Sequence, residues 1–175
     1  MNNSKLSIGT VQFGMQYGVA NNLKKTDVRH VVKILDTAHK EGINALDTAP
    51  IYGNSEVVLG EALCGQNWNI TTKIPPCEED VVSASYLKTI KKSLCHSLLS
   101  LGVQIVDGLL VHNCDDLFKP GGRDIFFELK KLQSLGLIKK IGVSVYTKDQ
   151  ILRVLDNFDI DLIQLPINIL DQRLI

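Results

Sequence analysis

The sequence predicts an α/β fold in which parallel strands are covered by helices. Short apolar runs rich in β-branched residues alternate with longer segments of helical period along all 175 residues. Successive strand candidates begin roughly 20 to 40 residues apart, which is the length of one strand–helix unit. No linker, low-complexity tract or block of charge interrupts the alternation. We therefore expect a single domain over residues 1–175.

Each strand candidate is a short apolar run that ends at a turn residue, a polar residue or a proline. The strand candidates are residues 5–10, 43–46, 68–74, 104–111, 138–143 and 161–165. The third run cannot continue through Pro75-Pro76, because proline has no N–H to donate to a neighbouring strand.

The helix candidates repeat apolar residues on one face and have capping residues at their ends. They are residues 26–41, a segment that Asn54 or Ser55 begins and Gly65 ends, and residues 82–101, 124–135 and 147–157. Thr26 or Asp27 can cap the first helix and Thr147 can cap the last. Gly42 and Gly136 suit the position just after a helix, where the backbone often turns left-handed.

Strands that alternate with helices leave two architectures, a doubly wound sheet and a (β/α)8 barrel. A dinucleotide-binding doubly wound sheet needs Gly-x-Gly-x-x-Gly directly after its first strand. The sequence there is Gly9-Thr10-Val11-Gln12-Phe13-Gly14, whose spacing does not fit. We therefore prefer the barrel. Because the chain stops just past the sixth strand candidate, we expect a (β/α)8 barrel that is truncated after about six strands.

Composition excludes several classes of function. The 19 basic and 19 acidic side chains balance, so the basic excess of a nucleic-acid binder is missing. No apolar run reaches the roughly 18 residues of a membrane span, and the N-terminus lacks the apolar core of a signal peptide. We expect a cytoplasmic protein that contacts neither nucleic acid nor membrane. The four cysteines show no metal-ligand spacing, so we expect reduced thiols and no metal.

Polar residues stand at strand end after strand end, where the active sites of barrels lie. These residues are Asp47, Lys73, His112, Ser144 and Gln164, with Tyr52 in the loop that follows Asp47. Each alone has a structural interpretation: the aspartate could cap a turn, the lysine could reach out to solvent, the histidine could belong to the core and the tyrosine could be a loop aromatic. Their conjunction in one barrel mouth favours a shared chemical site.

Four motifs resemble those of the aldo-keto reductases. The stretch from Leu46 to Glu56, followed by Leu59-Gly60, looks like the family's Asp-x4-Tyr signature. Further along the chain, the matching motifs are Thr72-Lys73, Leu110-Val111-His112-Asn113 and Ile141-Gly142-Val143-Ser144. The resemblance covers essentially the whole chain and preserves the order of the motifs. It independently implies the truncated barrel, because a complete member would continue for two more strands.

The resemblance also implies an activity and a set of site residues. It makes Asp47, Tyr52, Lys73 and His112 the catalytic tetrad of a reductase for a small aldehyde or ketone, with NADP as cofactor and no metal. Ser144 and Gln164 fall where the family holds the nicotinamide carboxamide, and Thr10 and Asn168 fall near other cofactor contacts. Val145 departs from the family, in which many members have Asn after this serine.

The chemistry of carbonyl reduction explains why these residue types would occur together. Hydride moves to the carbonyl carbon while negative charge grows on the oxygen, so a proton donor must meet that oxygen. A phenol with a pKa near 10 is a weak acid until a nearby ammonium stabilises the phenolate. In this interpretation Lys73 supplies the ammonium, Asp47 holds it, and His112 orients the substrate oxygen.

Two other functions fit parts of the sequence. A non-catalytic remnant or interaction module would keep the tetrad residues without a complete cofactor site, and its open barrel edges could pair in self-association. Alternatively, Lys73 could form a Schiff base, as in barrel aldolases. The Schiff-base hypothesis leaves Tyr52 and Asp47 without roles.

Overall fold

The computed structural model describes residues 5–18, 25–63 and 65–174. Cys64, one of the four candidate thiols, lies outside these residues. The strands within them are β1 (Ile8–Gly9), β2 (Ala45–Asp47), β3 (Asn69–Ile74), β4 (Val106–Val111), β5 (Ile138–Ser144) and β6 (Leu162–Gln164). The helices are α1 (Val11–Gly14), α2 (Val28–Lys40), α3 (Ser55–Ala62), α4 (Ala84–Leu101), α5 (Arg123–Ser134) and α6 (Lys148–Asn157), with a 3-10 helix at Cys114–Phe118.

The six strands form one sheet in the order β1-β2-β3-β4-β5-β6, so each strand neighbours the next one in sequence. Sequential parallel strands with a helix between each pair are the arrangement of the (β/α)8 barrel. The predicted fold class, an α/β fold of barrel type, is therefore confirmed. The chain divides into two compact units, Met1–Thr72 with Leu94–Asp107 and Lys73–Ser93 with Gly108–Ile175. The single domain expected from the sequence remains a prediction.

The first unit contains β1, β2 and β3 as far as Thr72. Its parallel register places Gly9 opposite Asp47 and Asp47 opposite Thr71. Helices α2 and α3 cover apolar side chains, and Leu35 and Leu59 are fully buried. The second half of α4 packs closely against α3 at Gly60, where an added Cβ would lie 2.1 Å from the carbonyl oxygen of Ser100. Glycine is therefore required at this helix crossing.

The second unit contains the β5–β6 pair, which is also parallel. Gly142 lies opposite Leu162 and Ser144 lies opposite Gln164. The core of this unit consists of apolar residues from β4, β5 and α5, among them Leu110, Ile141 and Leu129, which are all fully buried. The alternation of these buried strands with amphipathic helices explains why the periodicity of the sequence predicted the elements correctly.

Two predicted caps are formed, whereas Asn54 stands at the N-cap position of α3 without a side-chain cap bond. The Asp27 side chain accepts a hydrogen bond from the N–H of Arg29, and the Thr147 hydroxyl accepts one from the N–H of Gln150. Two short helices were not predicted from the periodicity, α1 and the 3-10 helix, because four or five residues are too few to show a helical repeat. The first strand is shorter than the predicted residues 5–10: it covers Ile8–Gly9, and Thr10 already stands at the N-cap position of α1.

Candidate active site

Thr10 and Asp47 are joined at the carboxyl ends of β1 and β2. The N–H of Thr10 donates to the carbonyl oxygen of Asp47 at 3.0 Å, and the Thr10 hydroxyl donates to the same oxygen at 2.9 Å. Thr10 is fully buried, while Asp47 is half-buried. The two bonds hold the backbone of Asp47 at the end of its strand. Thr10 therefore holds the backbone of Asp47 in place. The predicted contact of Thr10 with the cofactor remains a prediction.

Tyr52 stands in a tight turn between β2 and α3. Its N–H donates to the carbonyl oxygen of Ala49 at 3.0 Å, and its own carbonyl accepts from the N–H of Ser55 at 3.2 Å. Gly14 at the end of α1 passes so close that an added Cβ would lie 1.7 Å from the Tyr52 carbonyl oxygen. Gly53 has a φ of 61°, a left-handed conformation that favours glycine. The turn that contains Tyr52 therefore packs directly against the end of α1.

Ser55 connects this turn to the strand ends. Its hydroxyl oxygen lies 2.9 Å from both the carbonyl oxygen and the hydroxyl oxygen of Thr10, and it accepts from the Thr48 hydroxyl at 3.3 Å. All three residues are fully buried. Buried hydroxyl groups need such partners, because an unsatisfied one costs about 1–3 kcal/mol. One polar network therefore fixes both the strand end that bears Asp47 and the turn that bears Tyr52.

Glu56 ties the same turn to strand β3. The hydroxyl of Thr72 donates to Glu56 Oε1 at 2.7 Å, and both residues are buried. Thr72 immediately precedes Lys73 on β3, and neighbouring residues of a strand point to opposite faces. The Thr72 side chain points toward helix α3. The side chains of Thr71 and Lys73 therefore point to the opposite face of the sheet.

The second unit contains the other two predicted tetrad residues. Lys73 stands one residue before the end of β3 and is only 2% exposed. His112 directly follows β4 and is half-buried. Each therefore occupies the carboxyl-terminal end of its strand, as the sequence predicted. The assembly of the four tetrad residues into one site remains a prediction.

Ser144 and Gln164 meet at the ends of β5 and β6. The Ser144 hydroxyl donates to Gln164 Oε1 at 3.2 Å, and the N–H of Val145 donates to the Gln164 carbonyl oxygen at 2.9 Å. Both side chains line a pocket of about 290 Å³, together with Tyr146, Leu165 and Pro166. A hydroxyl and a primary amide in one pocket can pair with both the oxygen and the NH2 of a carboxamide. These residues therefore fit a nicotinamide, although Val145 is fully buried and brings no polar side chain.

Asn168 lies in a turn beyond β6. Its side-chain oxygen accepts from the N–H groups of Leu170 and Asp171, at 2.9 and 3.0 Å. These bonds give Asn168 a local turn-forming role, and its predicted cofactor contact stays a prediction. Among residues 5–18, 25–63 and 65–174, no group of three or more His, Cys, Asp or Glu side chains could hold a metal ion. In the same ranges, no helix is long and apolar enough to cross a membrane.

A comparison with protein families decides what this arrangement belongs to. The model of the aldo/keto reductase family matches residues 5–174. The chain belongs to the aldo/keto reductase family.

Curated relatives of this aldo/keto reductase chain include two bacterial reductases. It is 31% identical to the 6-dehydroglucose reductase of Novosphingobium aromaticivorans, over 86% of this chain and 52% of that protein. It is 30% identical to the NADH-specific methylglyoxal reductase of Escherichia coli, over 77% of this chain and 47% of that protein. The chain thus spans about half the length of the curated relatives it matches.

Solved structures agree with the family. A Pseudomonas aeruginosa protein assigned to the aldo-keto reductases superposes with a TM-score of 0.77 at 32% identity, over 95% of this chain and 64% of that one. The glycerol dehydrogenase of Gluconobacter oxydans superposes with a TM-score of 0.67 at 26% identity, over 94% of this chain and 52% of that one. Both matches support the barrel-type fold described above.

Sequence reasoning missed three residues that support the candidate site of this aldo/keto reductase chain. Ser55 was predicted only as a helix cap, and Glu56 and Thr72 only as parts of motifs. Ser55 and Glu56 come directly after a polar turn, and Thr72 lies between Thr71 and Lys73, so no pattern in the sequence marked these residues as buried. Burial, which turns such a residue into a required hydrogen-bond partner, becomes visible only in the structure.

Proposed function

We propose that the protein reduces an aldehyde or ketone to an alcohol, with NADPH as hydride donor and Tyr52 as general acid. The register between β2 and β3 carries this proposal. Asp47 lies opposite Thr71, and Lys73 follows two residues further along the same strand. Because residues two apart on a strand share a face, this register supports an Asp47–Lys73 pair at adjacent strand ends.

The turn that bears Tyr52 supports the same proposal. Ser55 in this turn hydrogen-bonds Thr10, and Thr10 in turn hydrogen-bonds the backbone of Asp47. The phenol would protonate the substrate oxygen as negative charge develops there. Lys73 would stabilise the phenolate that remains, and Asp47 would keep the ammonium charged and in place. His112 would orient the carbonyl oxygen by a hydrogen bond.

The cofactor supplies the hydride when bound, so the protein contributes position and electrostatics. Ser144 and Gln164 would hold the carboxamide, the Ser144 hydroxyl and the Gln164 amide each offering a hydrogen-bonding group within the same pocket. This contact would fix which face of the nicotinamide ring is presented to the substrate. Asn168 would lie beside the cofactor as a further contact.

The substrate class is inferred from the relatives. One is a reductase of 6-dehydroglucose and another of methylglyoxal, so small aldehydes and ketones, including oxidised sugars, form the test panel. The second relative is named as NADH-specific, so each substrate is assayed with NADPH and with NADH.

Replacing Tyr52 by phenylalanine tests the proposal. The variant keeps the aromatic ring but cannot donate a proton, so turnover should fall by about 100-fold or more. The dissociation constant for NADPH should stay within about twofold of the unsubstituted protein, since the hydroxyl is assigned to chemistry. Steady-state kinetics and titration of nicotinamide fluorescence measure the two quantities.

Tyr17→Phe is the matched control, because it removes the same hydroxyl from a tyrosine that is 58% exposed. Its turnover should be unchanged within about twofold. Equal turnover of the Tyr52→Phe variant and the unsubstituted chain would refute the role of Tyr52 as general acid.

A further inference from the structure

The segment that follows Lys73 has few backbone hydrogen-bond donors. Pro75 and Pro76 have no N–H, so Cys77 is the first residue after Ile74 that can donate a backbone hydrogen bond. The N–H of Cys77 donates to Asp116 Oδ2 at 2.9 Å. Asp116 is fully buried and Cys77 is 3% exposed. A buried carboxylate from elsewhere in the second unit therefore anchors this segment.

Lys119 completes the anchor. Its ammonium donates to the carbonyl oxygen of Cys77 at 2.6 Å and forms an ion pair with Asp116 Oδ1 at 2.8 Å. Both backbone groups of Cys77 are thus bound by one ion pair, which we call the Asp116–Lys119 clamp. The hydrogen bond to Asp116 raises the pKa of Lys119, so the ammonium stays charged at neutral pH.

A third side chain fixes the proline segment. The Tyr86 hydroxyl on α4 donates to the carbonyl oxygen of Pro75 at 2.7 Å. Burial raises the pKa of this phenol, with the Asp116 carboxylate adding to the effect, so Tyr86 remains a neutral donor. Residues 75–77 are therefore held by three side chains that the mechanism above does not use.

Both residues of the clamp lie in the segment that follows His112. The Asn113 side chain caps the 3-10 helix by accepting from the N–H of Asp115 at 3.2 Å. Asp116 lies in that helix, four residues after His112. Gly122 passes behind it, where an added Cβ would lie 2.4 Å from the Asp116 carbonyl oxygen. Asp116 thus belongs to a tightly packed turn that continues directly from His112.

We propose that Asp116 and Lys119 are positioning residues, whose clamp fixes the segments after Lys73 and His112 relative to each other. The proposal rests on the proposed function, in which Lys73 stabilises the Tyr52 phenolate and His112 orients the substrate oxygen. Cys77, which the clamp binds, lies four residues after Lys73, and Asp116 lies four residues after His112, so the clamp acts on both side chains through short connections. A misplacement of about 1 Å in such a site can lower turnover by 10–100-fold.

The Asp116→Asn variant tests the proposal. It keeps a side-chain oxygen for Cys77 but removes the charge that holds Lys119, so turnover should fall by about tenfold. The NADPH dissociation constant should stay within about twofold. The double variant Asp116→Asn/Lys119→Gln restores a neutral acceptor–donor pair of similar size and should return turnover to within about threefold of the unsubstituted chain. Unchanged turnover of the folded Asp116→Asn variant, with only a lower thermal midpoint, would overturn the proposal.

Nuclear magnetic resonance gives a readout that does not depend on turnover. In the chain labelled with 13C at the lysine ε carbon and the histidine ring, Asp116→Asn should shift the signals of both Lys73 and His112. The signal of His30, on α2 in the first unit, serves as the control and should not move. Unchanged Lys73 and His112 signals would overturn the clamp, even if the chain reduces carbonyls. If the chain shows no turnover, the proposed function fails, and these signals still decide the clamp.

Lys119→Gln carries the same test should Asp116→Asn not fold. The Lys119 side chain is 23% exposed and the Asp116 side chain only 1%, so replacing Lys119 should disturb the core less. A shift of the Lys73 and His112 signals in this variant supports the clamp. Signals at the same positions as in the unsubstituted chain would contradict it.

Discussion

Ser55, Thr10 and Thr48 show how buried hydroxyl groups fix the backbone at two predicted site residues. None of the three is assigned to chemistry, yet their hydrogen bonds hold the strand end at Asp47 and the turn at Tyr52. A hydroxyl in a dry environment has few alternative partners, so each bond restricts geometry strongly. Asp116 has the corresponding role in the second unit.

Cys114 illustrates how burial can also lower the reactivity of a side chain. Burial, with the carboxylate of Asp115 nearby, raises the pKa of the Cys114 thiol to about 12. Because the thiolate is the nucleophile, this cysteine should be inert at moderate pH. Since the folded-state pKa is raised, its contribution to stability is complete below pH 9 and is lost as the pH rises toward 12.

We therefore predict selective alkylation. With iodoacetamide at pH 8.5, the exposed Cys95 should react at least about tenfold faster than Cys114. Peptide mass spectrometry measures both rates in the same sample. In urea, where both thiols are exposed, the rates should converge. Equal rates in the folded protein would show that Cys114 is accessible and that its thiol is not suppressed.

At the scale of elements, α1 and the Tyr52 turn are packed so closely at Gly14 that a Cβ does not fit. Gly14→Ala would place a Cβ 1.7 Å from the Tyr52 carbonyl oxygen, a distance that only backbone movement can relieve. We predict a loss of about 3 kcal/mol or more in the free energy of unfolding, measured by urea denaturation.

Gly9→Ala is the matched control, since an added Cβ there meets nothing within 4 Å. It should change the free energy of unfolding by less than about 1 kcal/mol. If Gly14→Ala were as stable as Gly9→Ala, the described packing of α1 against the turn would be wrong.

The elements also show what sequence patterns can predict. Asp27 and Thr147 begin helices as predicted, because capping depends on a side chain and the backbone two or three residues away. The strand ends at Asp47, Lys73 and His112 follow from local patterns as well. Helix α1 does not, because its four residues are held by the Tyr52 turn, which is distant in sequence. Such tertiary contacts leave no periodic signal.

For the molecule as a whole, the fold class and the family were both predicted correctly. Consecutive parallel strands with intervening helices leave few topologies, so the order of elements determines the fold class. The polar supports of the site were not predictable in the same way. Asp116 and Cys77 are 39 residues apart, and no spacing rule connects them. The predicted tetrad depends on a similar long-range meeting, which its motifs alone cannot measure.

The distance between Tyr52 Oη and Lys73 Nζ, in a crystal structure of the chain with NADPH bound, tests the central claim most directly. The proposed mechanism predicts a hydrogen bond of about 3 Å between the phenol and the ammonium, beside the nicotinamide ring. A separation of more than about 6 Å, with the two groups facing different pockets, would contradict it.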